Sequence, residues 1–359
     1  MRNATRTVYM AWAKNRPVPS VDLAGSNLLA CTLADLPGAR DAVDLSGDSP
    51  NGYPPLLEAI AARAGVSTDQ VATAGGCSGA NFLACAAVLR AGDEVLAEWP
   101  GYDPLPAAAR MLGASVSFFR RSFDRGWALE PDRVEAALTP RTRLVIVSSP
   151  HNPSGVAASP ASLEALARLA ERRGFYILVD EVYADTVDGA SHGSPGSRSP
   201  AVISTNSLTK AYGLSSLRCG WSIAAPSVTE AIRRARDVVD VSGAIPAERL
   251  SALAFAHLPA LALRAEDILA RNRLLWSAFF RKRPELACVP ADASVVFPRF
   301  EEGRDASAFT ERLFERTGVA VAPGSFFGAP EHFRVALGGS TENLERGLDA
   351  IAQEISGPA

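Results

Sequence analysis

The sequence lacks a strong net charge and any long apolar run. Its 359 residues include 36 basic and 39 acidic side chains, with a formal net charge of −3. This balance predicts no basic face for a nucleic acid. Because no run of about 18 apolar residues occurs, we expect no membrane-spanning helix. The basic N-terminus also lacks the apolar core of a signal peptide.

Disulfide and metal-binding patterns are missing as well. The five cysteines, at positions 31, 77, 85, 219 and 288, are odd in number and have no metal-like spacing. This usage suits reduced thiols in the cytoplasm. The four histidines, at positions 151, 192, 257 and 332, are scattered. We therefore expect no zinc site and no bound metal.

Lysine is scarce, since only Lys14, Lys210 and Lys282 occur beside many arginines. Lys210 lies in residues 204–220, a stretch of small polar residues between two apolar runs, and this pattern predicts a loop between two strands. A lysine in a polar loop is usually a solvated surface residue. The small neighbours would equally allow a ligand to approach its amine closely.

Between residues 57 and 179 the chain alternates between short apolar strands and helices. We predict strands at residues 94–97, 115–119, 144–147 and 176–179, and helices at residues 57–64, 104–112, 132–138 and 160–173, with a further apolar helix that ends at Leu89. This rhythm predicts an α/β fold with a mainly parallel, doubly wound sheet. Residues 189–200, rich in Gly, Ser and Pro, predict an exposed loop.

After residue 225 the pattern changes to helices followed by short strands. We predict helices at residues 227–239, 246–257 and 261–283, strands near Val295 and Arg334, a last helix from Thr341, and an early strand at residues 21–27. The change divides the chain into a large domain at residues 41–245 and a smaller α+β domain. The smaller domain would combine residues 1–40 with residues 246–359.

Five short motifs follow predicted strands, at the edge where open α/β sheets bind ligands. The first, Gly-Gly-Cys-Ser-Gly at residues 75–79, opens a helix, so its backbone N–H groups, the helix dipole and the Ser78 hydroxyl favour an anion. Its glycine spacing does not fit the dinucleotide fingerprint, and an ordinary strand–helix turn is the alternative. In the second motif, Tyr102 follows Pro100 and Gly101, and its ring would either stack on a planar ligand or fill the core.

The remaining motifs place polar side chains after strands. Asn152 precedes Pro153 and is held extended, so its amide would face a ligand unless the segment is a plain turn. Asp180 and Glu181 end an apolar strand and should point to opposite faces. A buried Asp180 needs a partner, either a cationic ring nitrogen or a structural salt bridge. The fifth motif contains Ser207, Lys210 and Arg218, and its arginine could grip an anion that Ser78 also holds.

Taken in this order, the motifs resemble the fold type I enzymes that depend on pyridoxal 5′-phosphate (PLP), specifically the class I/II aminotransferase-like family. The resemblance extends over residues 43–337 and is most specific in Asn-Pro-Ser-Gly, Asp-Glu-Val-Tyr and Ser-Leu-Thr-Lys. It implies a three-layer large domain with a seven-stranded, mainly parallel sheet. It also implies a homodimer with shared active sites and small-molecule amino acid and 2-oxo acid substrates.

The resemblance assigns a role to most of the motif residues. Lys210 would form the internal aldimine with the cofactor, and Asp180 would pair with its pyridine nitrogen. Asn152 and Tyr183 would hold the ring hydroxyl oxygen, and Tyr102 would stack on the ring. The phosphate would be bound by Gly76, Cys77, Ser78, Ser207 and Arg218. Lys210, Asp180 and Tyr183 form the predicted catalytic set, because a desolvated lysine can act as nucleophile and proton shuttle.

Other residues are assigned to the substrate and to a second subunit. Arg334 matches the position of the family's arginine for the substrate α-carboxylate, and Gly25, Ser26 and Asn152 would also contact the substrate. Tyr53 would reach the phosphate of the neighbouring subunit. The family's usual threonine after Asn-Pro is Ser154 here. We find no second arginine for a dicarboxylate side chain, so an aspartate-like substrate is not supported.

Three functions fit these patterns. The leading prediction is a PLP-dependent aminotransferase that acts on an L-amino acid and a 2-oxo acid. The alternative is a PLP-dependent lyase, replacement enzyme or cyclase that acts on a modified amino acid in specialised metabolism. A distant alternative is the non-catalytic sensing domain of certain regulators. Those proteins carry an N-terminal DNA-binding domain, whereas only some forty residues precede the predicted large domain here.

Overall fold

The described part of the computed structural model, residues 7–187, 193–291 and 293–356, contains fourteen strands and thirteen α-helices. The strands are β1 (Val21–Asp22), β2 (Val71–Gly75), β3 (Glu94–Trp99), β4 (Ser115–Arg120), β5 (Thr142–Ser148), β6 (Tyr176–Asp180), β7 (Val202–Ser207), β8 (Cys219–Ile223), β9 (Leu286–Ala287), β10 (Val295–Val296), β11 (Arg299–Phe300), β12 (Val319–Ala320), β13 (Ala322–Pro323) and β14 (Phe333–Ala336). The helices are α1 (Val8–Asn15), α2 (Ala39–Ala42), α3 (Pro54–Ala64), α4 (Gly76–Val88), α5 (Pro104–Met111), α6 (Pro131–Ala137), α7 (Pro160–Arg173), α8 (Thr209–Tyr212), α9 (Pro226–Val239), α10 (Ile245–Ala256), α11 (Leu258–Phe280), α12 (Ser307–Thr317) and α13 (Thr341–Ser356). The strands and helices predicted between residues 57 and 283 are confirmed, with ends that differ by up to three residues.

The central sheet has seven strands in the order β2-β8-β7-β6-β5-β3-β4. Neighbouring strands are parallel except at β8, which is antiparallel to both β2 and β7. The mainly parallel sheet is therefore confirmed. Because only β8 is reversed, the other six strands end at one edge, and β8 begins at that edge.

Alternating side chains of the strands build the two faces of this sheet. In β5, Leu144 and Ile146 pack in the cluster formed with α4, α5 and α9, whereas Val145 and Val147 pack in the cluster formed with α6 and α7. All four side chains are at most 1% exposed. Each such burial contributes about 1.5–3 kcal/mol, so the near-continuous apolar run is what a strand covered on both faces requires.

The chain termini pack together beside this sheet. Helices α11, α12 and α13 form one core with the three strands β10-β14-β13, and β1 joins it by pairing with β12. A further cluster combines residues of α2 and α3 with the start of α11, across the predicted domain limits. The division into residues 41–245 and the two flanking segments therefore stays a prediction.

Three local predictions are wrong in part. Lys210 lies on the short helix α8 rather than in an open loop. Helix α1, which the weak periodicity of the N-terminal segment did not indicate, is present, and the early strand covers only Val21–Asp22. Within the loop predicted at residues 189–200, Gly196 and Ser199 are buried, because the Gly196 N–H donates to the Ser204 hydroxyl against the sheet. Residues 189–192 lie outside the described residues.

Two features that bear on membranes and metals are absent from the described ranges. Over those residues no helix is long and apolar enough to cross a membrane. Nor do His, Cys, Asp and Glu side chains there cluster in a way that could hold a metal ion.

Candidate active site

The five motifs meet at the edge where the parallel strands end. Ser148 on β5 pairs in register with Asp180 on β6, and Asp180 pairs with Thr205 on β7. Gly75 at the end of β2 lies opposite Cys219 at the start of reversed β8. The reversal of β8 is thus what returns Arg218 to the first motif, where its Nη2 donates to the Gly75 carbonyl at 3.1 Å.

The turn into α4 forms a tight crossing with β8. Gly76 has φ +79°, and a Cβ there would lie 2.2 Å from Arg218 Nη2. A Cβ at Gly220 would lie 2.2 Å from the Gly76 carbonyl carbon. Only glycine fits both positions, since a Cβ cannot approach so closely. The crossing places the first N–H groups of α4 beside the Arg218 guanidinium and near Ser207, the register partner of Gly220. This arrangement suits an anion.

Lys210 extends from α8 toward the segment that follows β1. Its Nζ donates to the Ser26 hydroxyl at 3.1 Å and to Asn27 Oδ1 at 2.7 Å. Burial, assisted by the charge of Arg334, lowers the pKa of Lys210 to about 8, while the Asp180 carboxylate acts in the opposite direction. A fraction of this amine is therefore neutral near neutral pH, as a nucleophile requires.

Asp180 and Glu181 point to opposite sides, as predicted. Asp180 faces α4: its Oδ2 accepts from Asn81 Nδ2 at 2.9 Å, and its Oδ1 accepts from the Val182 N–H at 3.0 Å. Burial raises the pKa of Asp180, and these hydrogen bonds oppose that rise. Glu181 instead accepts from the Ser194 hydroxyl at 2.7 Å, and burial raises its pKa to about 7.

Arg334 lies fully buried beside the third motif. Its Nη1 donates to Asn152 Oδ1 at 2.7 Å, and its Nη2 donates to the Tyr9 hydroxyl at 2.9 Å and to the Ala24 carbonyl at 2.8 Å. Its Nε has no hydrogen-bond partner among the described residues. Because Asn152 Oδ1 is used by Arg334, the side-chain nitrogen of Asn152 is the group left for a ligand.

Aromatic side chains surround the Arg334 guanidinium. The ring centroids of Tyr9 and Phe327 lie 5.3 and 4.8 Å from Arg334 Cζ, and the Tyr102 ring lies 5.8 Å from the Tyr9 ring. The Tyr102 hydroxyl is 3.3 Å from Met10 Sδ. Helix α1 therefore forms one wall of the site through Tyr9 and Met10.

A buried ion pair lies under the third motif. Arg121 Nη1 donates to Glu98 Oε2 at 2.8 Å, and Glu98 Oε1 accepts from both the N–H and the hydroxyl of Ser148. Because the Ser148 hydroxyl donates to Glu98, its oxygen is left to accept the Asn152 N–H at 2.9 Å. His151, with its pKa lowered by burial, ties the same turn to the Pro100 carbonyl through Nε2 at 2.9 Å.

Most predicted site residues are brought together, and a few are not. Ser78 is exposed on the first turn of α4, and Gly25 is an exposed neighbour of Ala24. Cys77 directs its sulfur toward Asp180 Oδ1 at 3.5 Å, so only its backbone faces the predicted phosphate position. Tyr53 contacts α10 instead, where its N–H donates to Glu248 and Arg249 lies over its ring.

The structure adds residues that the sequence patterns did not single out: Tyr9, Asn81 and Thr205. Asn81 carried a usable signal, because it is a polar side chain inside the apolar run of α4. Tyr9 and Thr205 had no such signal, since a tyrosine or a threonine in a short element is common.

The donors and acceptors at this edge fit PLP. The Tyr183 hydroxyl is buried without a hydrogen-bond partner among the residues described, which is costly unless a ligand oxygen completes it. An anion cradle, a carboxylate and a lysine with a lowered pKa complete the set that the cofactor requires. The fold and the site together define a PLP-dependent enzyme of fold type I.

Comparison with known proteins narrows this class. The chain belongs to the aminotransferase class I and II family, which matches residues 36–351. Capreomycidine synthase of Streptomyces vinaceus is 35% identical over 306 residues, 84% of this chain and 78% of the synthase. An aspartate/prephenate aminotransferase of Thermus thermophilus is 33% identical over 322 residues, 85% of this chain and 82% of that enzyme.

A solved structure gives the same result. A PLP-dependent aminotransferase from Streptococcus suis superimposes with a TM-score of 0.91 at 25% identity, covering 99% of this chain and 98% of the other. The predicted family, fold, cofactor and enzyme class are confirmed: the protein is a PLP-dependent aminotransferase.

Proposed function

We propose that this aminotransferase holds PLP covalently on Lys210 while it moves an amino group from an L-amino acid to a 2-oxo acid. The observation that carries the proposal is the half-buried Lys210 amine, whose pKa of about 8 reflects burial and the nearby Arg334 and Asp180 charges. A partly neutral amine can attack the cofactor aldehyde and later take the proton from the substrate Cα. When bound, PLP supplies an electron sink for the charge that develops at that carbon.

The other site residues would bind and orient the cofactor. Asp180 would accept a hydrogen bond from the protonated pyridine nitrogen, and its negative charge would keep the ring positive. Tyr183 and the side-chain nitrogen of Asn152 would donate to the ring hydroxyl oxygen, and Tyr102 would cover one face of the ring. The phosphate would be held by Gly76, Cys77, Ser78, Ser207 and Arg218.

Arg334 would bind the substrate α-carboxylate, with Ser26 and the backbone of Gly25 at the edge of the same space. A fixed carboxylate decides which bond at Cα stands perpendicular to the ring, and so which bond breaks. The aromatic rings of Tyr9, Tyr102 and Phe327 lie near Arg334. They favour an apolar or aromatic substrate side chain over a dicarboxylic one.

Covalent labelling tests the central assignment. Borohydride reduction of the holoenzyme followed by mass spectrometry should place the cofactor mass on Lys210, and Lys210→Ala should carry none. The matched control is Lys282→Arg, because Lys282 is an exposed lysine and its replacement should leave the adduct unchanged. An adduct on Lys14 or Lys282, or on no lysine, would refute the assignment.

The choice of reaction needs a substrate panel. Purified enzyme would be incubated with aromatic, aliphatic, basic and acidic L-amino acids together with pyruvate or 2-oxoglutarate. Appearance of a new amino acid is expected, with aromatic donors preferred. The name of the 35% identical capreomycidine synthase is compatible with the alternative reading, a lyase, replacement enzyme or cyclase for a modified amino acid, but does not favour it. Release of ammonia or formation of a cyclic product without a new amino acid would select that alternative.

We also propose a homodimer that works in the cytoplasm, where the five free cysteines would stay reduced. The apolar side chains of Leu45, Val238 and Val241 are 88%, 88% and 68% exposed. They lie on segments joined to α10 by the Arg249–Asp44 and Arg236–Glu248 pairs, and a group of exposed apolar side chains would suit an interface. Tyr53 lies in the same region and would cross to the partner's phosphate site. Leu45→Glu should yield monomers in light scattering, whereas Met111→Glu, at an exposed apolar residue of α5, should stay dimeric.

A further inference from the structure

Asn81 is a polar side chain in an otherwise apolar part of α4. It is 5% exposed, and its neighbours on the buried side of the helix, Ala80, Leu83 and Ala84, are at most 2% exposed. A buried side-chain amide destabilises a protein by about 1–3 kcal/mol unless it is hydrogen-bonded. Its presence in a sheet-facing helix therefore calls for a specific set of partners.

Asp180 and Thr205 are these partners, and they fix the direction of the two hydrogen bonds that Asn81 makes with them. Asn81 Nδ2 lies 2.9 Å from Asp180 Oδ2, and the Thr205 hydroxyl lies 2.5 Å from Asn81 Oδ1. An ionised carboxylate accepts only, so the amide nitrogen must face Asp180 and the amide oxygen must face Thr205. The Thr205 hydroxyl therefore donates its single proton to Asn81, and Asn81 in turn donates to Asp180.

The three residues come from three different elements that meet at the ligand edge of the sheet. Thr205 on β7 is the register partner of Asp180 on β6, and Asn81 reaches both from α4. Thr205 is fully buried, so water cannot take the place of its hydroxyl as the donor to Asn81. The other Asp180 oxygen accepts from the Val182 N–H at 3.0 Å. The Cys77 thiol also lies 3.5 Å from that oxygen, whereas among the described residues Oδ2 accepts from Asn81 alone and keeps a lone pair for a further cationic partner.

We propose that Asn81 is a positioning residue, held in one orientation by Thr205, that keeps Asp180 ionised and aimed at the pyridine nitrogen of the cofactor. This inference rests on the proposed role of Asp180. Without the Asn81 donor, burial would favour the neutral form of Asp180, which cannot balance a positive ring. The ring nitrogen would then lose its proton and the site would bind the cofactor less tightly.

The test observes the ring nitrogen directly. Holoenzyme loaded with PLP that carries ¹⁵N in the pyridine ring would be examined by ¹⁵N NMR, whose shift reports protonation, and cofactor Kd would be measured by absorbance titration. Asn81→Leu, close in size to asparagine, should lose ring protonation at pH 7 and weaken PLP binding about 10- to 100-fold, the range for a hydrogen bond to a charged group.

Variants of Thr205 test whether it acts through Asn81. Thr205→Val should shift the same ¹⁵N signal less and raise the cofactor Kd about threefold to tenfold, and Thr205→Ser should restore both values. The double variant should bind PLP within about twofold of Asn81→Leu, since a relay is non-additive. Thr229→Val is the matched control, because Thr229 is fully buried and its hydroxyl donates to the Ala224 carbonyl.

The outcomes separate this inference from the proposed function. If Asp180→Asn loses ring protonation while Asn81→Leu keeps it, only the inference on Asn81 fails. If Asp180→Asn itself keeps the proton, the role of Asp180 fails. Additive effects in the double variant would overturn the relay. Should Asn81→Leu fail to fold, as judged by the melting curve of the apoenzyme, the Thr205→Val and Thr205→Ser pair decides by the ¹⁵N shift.

Discussion

The pKa of Lys210 gives the sharpest quantitative prediction. A lysine amine in water has a pKa of about 10.4, so about one in a thousand is neutral at pH 7.4. With burial and Arg334 lowering the pKa of Lys210 to about 8, about one in five is neutral at the same pH, a gain of about 200-fold in nucleophile. Its reactivity should rise about tenfold per pH unit below pH 8 and level off above it.

Competitive acylation of the apoenzyme measures this directly, because the protein has only three lysines. Mass spectrometry of peptides labelled between pH 6 and pH 11 would give the reactivity of Lys210 beside that of the exposed Lys14 and Lys282. Steric shielding by neighbouring side chains lowers the absolute labelling rate of Lys210 equally at every pH, so the midpoint of the curve still reports the pKa. Arg334→Gln should raise the midpoint by removing a positive charge, and Asp180→Asn should lower it by removing a negative one.

Two results would refute the reasoning. A Lys210 midpoint near that of a model peptide would show that burial and Arg334 do not act on the amine. A midpoint near 8 without protection of Lys210 by added PLP would separate the perturbed amine from the cofactor, and would reject Lys210 as its attachment point.

Three further predictions concern Arg334, the buried pair of Glu98 and Arg121, and the close crossing of Gly220 with Gly76. Arg334→Lys keeps the charge but loses the planar fork, so KM for amino acids should rise about 10- to 100-fold with the cofactor absorbance intact. Glu98→Gln leaves the buried Arg121 charge without a carboxylate, and urea unfolding should show a loss of about 3–5 kcal/mol. Gly220→Ala forces a Cβ against the Gly76 backbone and should lower the free energy of unfolding of the apoenzyme by about 1–3 kcal/mol.

Two control variants change similar residues at sites where little effect is expected. Glu135→Gln breaks the exposed pair with Arg173 and should change the free energy of unfolding by less than about 1 kcal/mol. A Cβ at Gly339 meets no atom within 4 Å, so Gly339→Ala should be near neutral. Loss of the chromophore in Arg334→Lys, or wild-type unfolding curves for Glu98→Gln or Gly220→Ala, would contradict the roles given to those residues.

Local sequence signals determined the architecture and indicated most of the residues that meet at the candidate site. The apolar runs from β3 to β6 follow the strand period and are separated by amphipathic helices, which leaves a mainly parallel sheet as the consistent arrangement. Once the strands are parallel, whatever follows each strand lies at one edge. That is why Asn152, Asp180 and Lys210 could be singled out by their positions after strands, whereas their roles came from the resemblance to the aminotransferase-like family.

The tertiary structure alone decided how these side chains are held. Tyr9 meets Arg334 across 325 positions, Asn81 meets Asp180 across 99, and Glu98 meets Ser148 across 50. No local periodicity specifies such pairs, because each depends on which face an element buries and on how closely two backbones approach. The chain pattern thus indicated candidate residues for the chemistry, whereas packing in three dimensions set their orientation and lowered the pKa of the Lys210 amine.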